Sequence, residues 1–289
     1  MSFHQDTKTK KHHFIPQYML KKFYNENNEF YVLFKDRGVI KHQTSAQNFY
    51  KENFHTINLF GERTDIIEQL HSKVEGAFSK LYDLFEEIPE TVNSFDIMSL
   101  GSEVKVFRLL ILSMLWRRPA AESYVDIYSD KIIELFKSNP SDIIPAGLTL
   151  KFIKYLHKKR NKENIKKLIQ HMLLPIISTK LDAPIPNDLK WLIIKTPEDF
   201  RDKLMMGDNF FSDGEFPEII NLNSEFSFPI SKNTFFVSTR SNIIDFMDKN
   251  YIEDMQRKTY LNSNEKIICA LKEELEHHLN YKNDDDNNC

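Results

Sequence analysis

The stretch that most restricts the fold is SEVKVFRLLILSMLWRR, residues 102–118. A helix built from it is apolar nearly all round, so it has no face to give to water and needs other helices packed on it. Its apolar centre, LLILSMLW (109–116), is far shorter than the roughly 20 residues a bilayer requires, and Arg117, Arg118 and Pro119 follow at once. The run therefore reads as a buried helix, ended by Pro119. Upstream, Ile66, Ile67, Leu70, Val74, Phe78, Leu81, Leu84 and Phe85 recur at three- and four-residue steps, which predicts an amphipathic helix from about Asp65 to Pro89.

Weaker helical patterns cover 120–137, 161–178 and 262–281, the last including Cys269. Pro16 suits a first helical position before Tyr18, Met19, Leu20 and Phe23. EFYVLF (29–34), a turn at Asp36 to Gly38, and VIKHQ predict a β-hairpin. Ser45 reads as the N-cap of a short helix carrying Asn48 and Tyr50, and FSFPISKNTFFVST (226–239) as strands around a Pro-containing bend. The expected architecture is α+β: a mainly α-helical single domain with an N-terminal β-hairpin and a few C-terminal strands. Residues 1–11 are expected as a tail. Residues 12–60 hold the hairpin, 61–180 a helical core, 181–281 mixed strands and helices, and 282–289 an acidic tail.

Composition excludes several functions. Seven glycines supply neither a P-loop nor a G-x-G-x-x-G dinucleotide loop. Two cysteines, Cys269 and Cys289, cannot build a disulfide framework or a cysteine zinc site, which fits a reducing cytoplasm. MSFHQDTKTKKHH lacks the apolar segment of a signal peptide, and no membrane partner is expected. Net charge is −3, so nucleic-acid binding would need a local basic surface, with Lys8, Lys10, Lys11, Lys21 and Lys22 the candidates.

Chemistry concentrates first at His12-His13-Phe14-Ile15-Pro16. The H-H-x-x-P form resembles the start of the ββα-metal, His-Asn-His nuclease core. That resemblance implies a metal-dependent nuclease or phosphodiesterase with His13 as general base, Asn48 orienting it, His12 and His55 as metal ligands, and Mg²⁺ or Mn²⁺ as cofactor. Arg118 is the candidate phosphate clamp, although arginines at a helix end also pair with carbonyls or acids. Glu68 and Glu75 share one helix face and offer carboxylates, or only a solvated surface. Asp208, in MMGDNFF, sits among large apolar residues where a carboxylate needs Arg, His or a metal, and is a third candidate ligand. A histidine before a helix can equally serve as a cap.

HHFIPQYMLKKF, TSAQNFY, FRLLILSMLWRRP, MGDNFF and FPISKNTFFVS, in that order, resemble a bacterial family catalogued as domain of unknown function 4238. Carried over position by position, the pattern points to His12, His13, Pro16, Leu20, Phe23, Asn48, Tyr50, Arg118, Pro119, Asp208 and Asn209. Gly207 stands in the family's serine place and Phe210 in its proline place. The resemblance implies an accessory bacterial gene of the mobile or anti-phage defence kind, acting on nucleic acid or with a protein partner encoded nearby. The alternative expectation is a non-catalytic sensor or protein-binding component. A toxin-like effector is a third.

Overall fold

The apolar run does form a buried helix: Phe107, Leu110, Ile111, Leu112, Met114, Leu115 and Trp116 are each at most 2% exposed. The computed structural model describes residues 10–59, 62–89, 94–139, 148–211, 216–241 and 248–286. In chain order the first elements are β1 (Lys11–His13), α1 (Gln17–Lys21), β2 (Phe30–Phe34), β3 (Val39–Gln43), β4 (Tyr50–Glu52), β5 (Ile57–Leu59) and β6 (Glu62–Thr64). There follow α2 (Ile66–Glu86), β7 (Ser94–Asp96), α3 (Glu103–Arg117), α4 (Glu122–Asp130), α5 (Ile132–Ser138) and α6 (Leu150–Lys159). After α7 (Glu163–Leu168), a π-helical stretch (Ile169–Leu173) and α8 (Leu174–Ile177) come β8 (Lys190–Lys195), β9 (Met206–Gly207) and α9 (Phe216–Ile220). The chain closes with β10 (Phe226–Ser231), β11 (Thr234–Thr239), α10 (Lys249–Asn262), β12 (Lys266–Cys269) and α11 (Lys272–Asp286). The class is α+β.

These elements divide between two compact units. The first comprises residues 1–14, 50–78 and 105–184. It is helical, with two short antiparallel pairs, β1 with β4 and β5 with β6. Helix α3 is locked here by side chains as well as by apolar burial. Trp116 Nε1 donates to Ser178 Oγ at 3.0 Å, Arg108 Nη1 to the Leu181 carbonyl at 2.8 Å, and Gln170 Nε2 to the Trp116 carbonyl at 3.0 Å.

The π-helical stretch has a covalent cause. An α-helix would have residue 175 donate to the His171 carbonyl, and Pro175 has no N–H. The Leu174 N–H instead reaches back five residues to the Ile169 carbonyl. One residue is thereby looped into the helix, a feature that recurs at functional sites.

The second unit comprises residues 15–49, 79–104 and 185–289. It holds two four-stranded antiparallel sheets, ordered β10-β11-β8-β7 and β3-β2-β12-β9. The predicted hairpin is β2 and β3, with Gly38 at φ +61° in its turn, a conformation that suits glycine. The predicted C-terminal strands are β10 and β11, but Pro229 lies inside β10 opposite Phe235 and the turn is at Lys232 and Asn233.

Several expectations are corrected. Residues 266–269 form strand β12 rather than helix. Ile267, Ile268 and Cys269 are wholly buried, and an apolar run that short carries no period to separate strand from helix. Residues 120–137 form two helices, and 161–178 is interrupted by the π-helical stretch. Helices α6, α9 and α10 were not anticipated. The helix expected from Ser45 is a single 3₁₀ turn, Ser45–Gln47, capped by Thr44 and Gln47; Asn48 is already extended and Tyr50 begins β4. Lys11 belongs to β1, not to a tail, while residues 1–9, with Lys8, lie outside the described residues. At the other end α11 runs to Asp286, into the expected acidic tail, and 287–289 lie outside the described residues.

Candidate metal centre

The site forms inside the first unit, from one strand, one turn and three helical elements. Strand alternation sends His12 and His13 to opposite faces of β1. His13 faces Tyr50, ring centroids 5.6 Å apart, whereas His12 is wholly buried against His55 with centroids 5.3 Å apart and planes 14° from parallel. His55 lies in the turn after β4, where Asn53 takes φ +55° and donates its N–H to the Lys10 carbonyl at 2.8 Å. The His55 N–H donates to His12 Nδ1 at 2.7 Å. His12 Nδ1 is thus committed as an acceptor, and in the neutral ring the proton sits on Nε2.

Helix α2 supplies Glu68, His71 and Glu75, spaced i, i+3 and i+7 on one face. The π-helical stretch supplies His171. Ring centroids of His55 lie 4.8 Å from His71 and 4.7 Å from His171. The three imidazoles are 0%, 6% and 4% exposed, and they offer ligand nitrogens all within 4.8 Å of one another. His55 Nε2, His71 Nε2 and both ring nitrogens of His171 are buried with no hydrogen-bond partner among the described residues. Buried polar atoms normally find a partner, so three imidazoles that converge on one small space with unpartnered nitrogens call for a ligand.

Electrostatics point the same way. Burial, reinforced by neighbouring histidines and Arg117, holds His55 and His71 well below the ordinary histidine pKa and brings His171 down to about 3. All three are neutral at physiological pH, the form that binds a metal. Glu68 Oε2 lies 2.6 Å from His55 Nδ1. With Glu68 accepting the Nδ1 proton, the Nε2 lone pair of His55 is left bare, as in a carboxylate-backed metal-ligand histidine. Arg117, 4% exposed, donates to Glu75 and stands 4.0 Å from Glu68. Burial raises the Glu68 pKa and Arg117 opposes that rise. With two carboxylates, one guanidinium and three neutral rings, the formal charge is −1, so the site can accept a dication.

Of the residues singled out in the sequence, the structure brings together His12, His55, Glu68, Glu75 and Arg117. The arginine that reaches the acidic pair is Arg117; its neighbour Arg118 is buried and heads the 3₁₀ turn Pro119–Ala121. Asn48 and Asp208 belong to the second unit. There Asn48 Nδ2 donates to the Thr44 carbonyl at 3.0 Å, and its Oδ1 accepts from Lys266 Nζ at 3.4 Å. Asp208 accepts from the backbone N–H groups of Asn264, at 2.8 Å, and Glu265, at 3.1 Å. The partner expected for Asp208 is therefore the backbone rather than Arg, His or a metal. Beside it, a Cβ on Gly207 would stand 1.7 Å from Ser263 Oγ and 2.8 Å from Ser263 Cβ, so a side chain fits there only if Ser263 moves. His71 and His171 were missed. The spacing Glu68-x-x-His71 on a predicted helix was the available signal; for the solitary His171 there was none.

The profile of the family described as a protein of unknown function (DUF4238) matches residues 11–272, and the chain belongs to that family. No curated protein and no solved structure matches it. Among the described residues no helix is long and apolar enough to cross a membrane.

Proposed function

We propose that the chain is a metal-dependent phosphodiester hydrolase, a nuclease in the broad sense, with a divalent ion held by His55, His71 and His171. The observation that carries this reading is the set of buried, neutral, unsatisfied imidazoles, one of them backed by Glu68. A bound ion would supply a water of lowered pKa and charge to offset a phosphorane-like transition state. Imidazole donors favour Mn²⁺ or Zn²⁺ over Mg²⁺, which prefers oxygen. Glu68 and His12 act as positioning residues, one fixing the His55 tautomer and the other its backbone. Arg117 is the guanidinium at the cluster, and its planar fork suits two phosphate oxygens once Glu75 yields its place.

The test is metal content together with cleavage of mixed single- and double-stranded oligonucleotides. Expected is stoichiometric Mn²⁺ or Zn²⁺ and metal-dependent cleavage, both lost in His171→Ala. Cleavage that persists undiminished in that variant or in chelator sinks the assignment. A second reading is favoured by one observation, the near-complete burial of the three rings: a non-catalytic sensor in which the ion is structural. Bound metal with no cleavage would select it.

A further inference from the structure

The segment LKFIKYLHKKRNKENIKKL, residues 150–168, carries eight basic residues and one acid in a chain of net charge −3. Helix α6 buries Ile153 and Leu156, half-buries Leu150, His157 and Lys159, and exposes Lys151, Phe152, Lys154, Tyr155 and Lys158. At 3.6 residues per turn, Lys151, Phe152, Lys154, Tyr155, Lys158 and Lys159 share an arc of about 160°. Tyr155 is 51% and Phe152 40% exposed, two aromatic rings set among lysines. Nearby cations are engaged: Arg160 with Asp130, Lys166 with Asp126 and Lys167 with Glu163. The four lysines of the arc, and Lys162 beyond it, make no ion pair among the described residues. Among the initially expected basic residues, by contrast, Lys22 is spent on Asp83 at 3.0 Å and Glu86 at 2.6 Å in the second unit, and Lys11 lies over the Tyr50 ring.

From this face we infer that the first unit binds single-stranded nucleic acid along α6, the lysines following phosphates and Phe152 and Tyr155 stacking on unpaired bases. Duplex would hide the base faces that two exposed rings can use, and a bare lysine row would not need them. The inference deepens the hydrolase reading by naming its substrate class, and rests on it for the consequence of binding. The same unit carries α6 and, farther along the chain, His171.

The test measures anisotropy of a labelled oligothymidylate, its duplex with oligoadenylate, and phosphatidylserine-containing vesicles, using the full chain. Each measurement is made with wild type in chelator and with His171→Ala, so that binding stands or falls apart from cleavage. Expected is preference for the single strand, with a log–log salt slope of roughly −3.5 if five phosphates are neutralised. Phe152→Ala and Tyr155→Ala should each weaken binding roughly 5- to 150-fold, the range for loss of one stacked base. Lys151→Gln with Lys154→Gln should flatten the slope by roughly 1.4. These positions are exposed, and unchanged circular dichroism confirms that the variants fold. Wild-type affinity in the two aromatic variants, preference for duplex, or attachment to vesicles without oligonucleotide binding overturns the inference.

Discussion

The histidine cluster of the first unit and the Asp208 turn of the second both place polar chemistry among apolar side chains, and they resolve its cost in opposite ways. Asp208 has its carboxylate on two backbone amides, at 2.8 Å and 3.1 Å. Burial still raises its pKa, but its oxygens are occupied. At the cluster, four ring nitrogens have no partner among the described residues. Satisfied polarity holds a fold together, whereas unsatisfied buried polarity held in place by other bonds is available to a ligand.

The largest effect that could break this comparison is metal linkage. At a thousandfold excess of Mn²⁺ or Zn²⁺ over Kd, the protein should gain about 4 kcal/mol of stability, seen as a rise in Tm that chelator reverses. His171→Ala should abolish the rise and Asp208→Ala should leave it intact; an equal rise in both variants would erase the distinction. Next, Asp208→Ala removes a half-buried carboxylate from two amides that water can re-solvate, and should cost about 1–3 kcal/mol in denaturant unfolding, with or without metal. A cost that appears only in the presence of metal would make Asp208 a ligand after all.

Smaller is Glu68→Gln, which removes the charge behind His55. Metal affinity should fall by roughly 10- to 100-fold in competition titration, with little change in apo stability. The smallest step is the proton. His171 falls from an unfolded pKa of about 6.5 to about 3 on folding, so between these values the unfolded chain binds more protons. Apo stability is therefore full above pH 6.5 and declines as pH falls toward 3, by about 1.4 kcal/mol per pH unit from this residue. His171→Phe should remove that slope contribution, and a pH-stability profile unchanged by the substitution would contradict it.

Much of this was legible in the residues. The 3.6-residue period gave α2 and α3 nearly to their ends, and alternation with turn chemistry gave β2, β3, β10 and β11. His12, His55, Glu68, Glu75 and Arg117 were visible as chemistry-bearing types, though not as one group. Order along the chain suggested Asn48 and Asp208 as their companions, yet motif order carries no distance, and both belong to the other unit. IICAL (267–271) has too few residues to reveal its period, so β12 stayed hidden. His171 was invisible for another reason: Pro175 disturbs the helix that aims it, and a proline within a helical pattern does not say whether the helix ends, kinks or takes in an extra residue.

That pattern has a genetic reading. The π-helical turn at Ile169–Leu173 holds one residue more than an α-helical turn would. Loss of a single codon there would rotate the N-terminal part of the helix by about 100° relative to its C-terminal part. The imidazole would leave the cluster while most of the helix remained, so one in-frame deletion separates the centre from the scaffold that carries it.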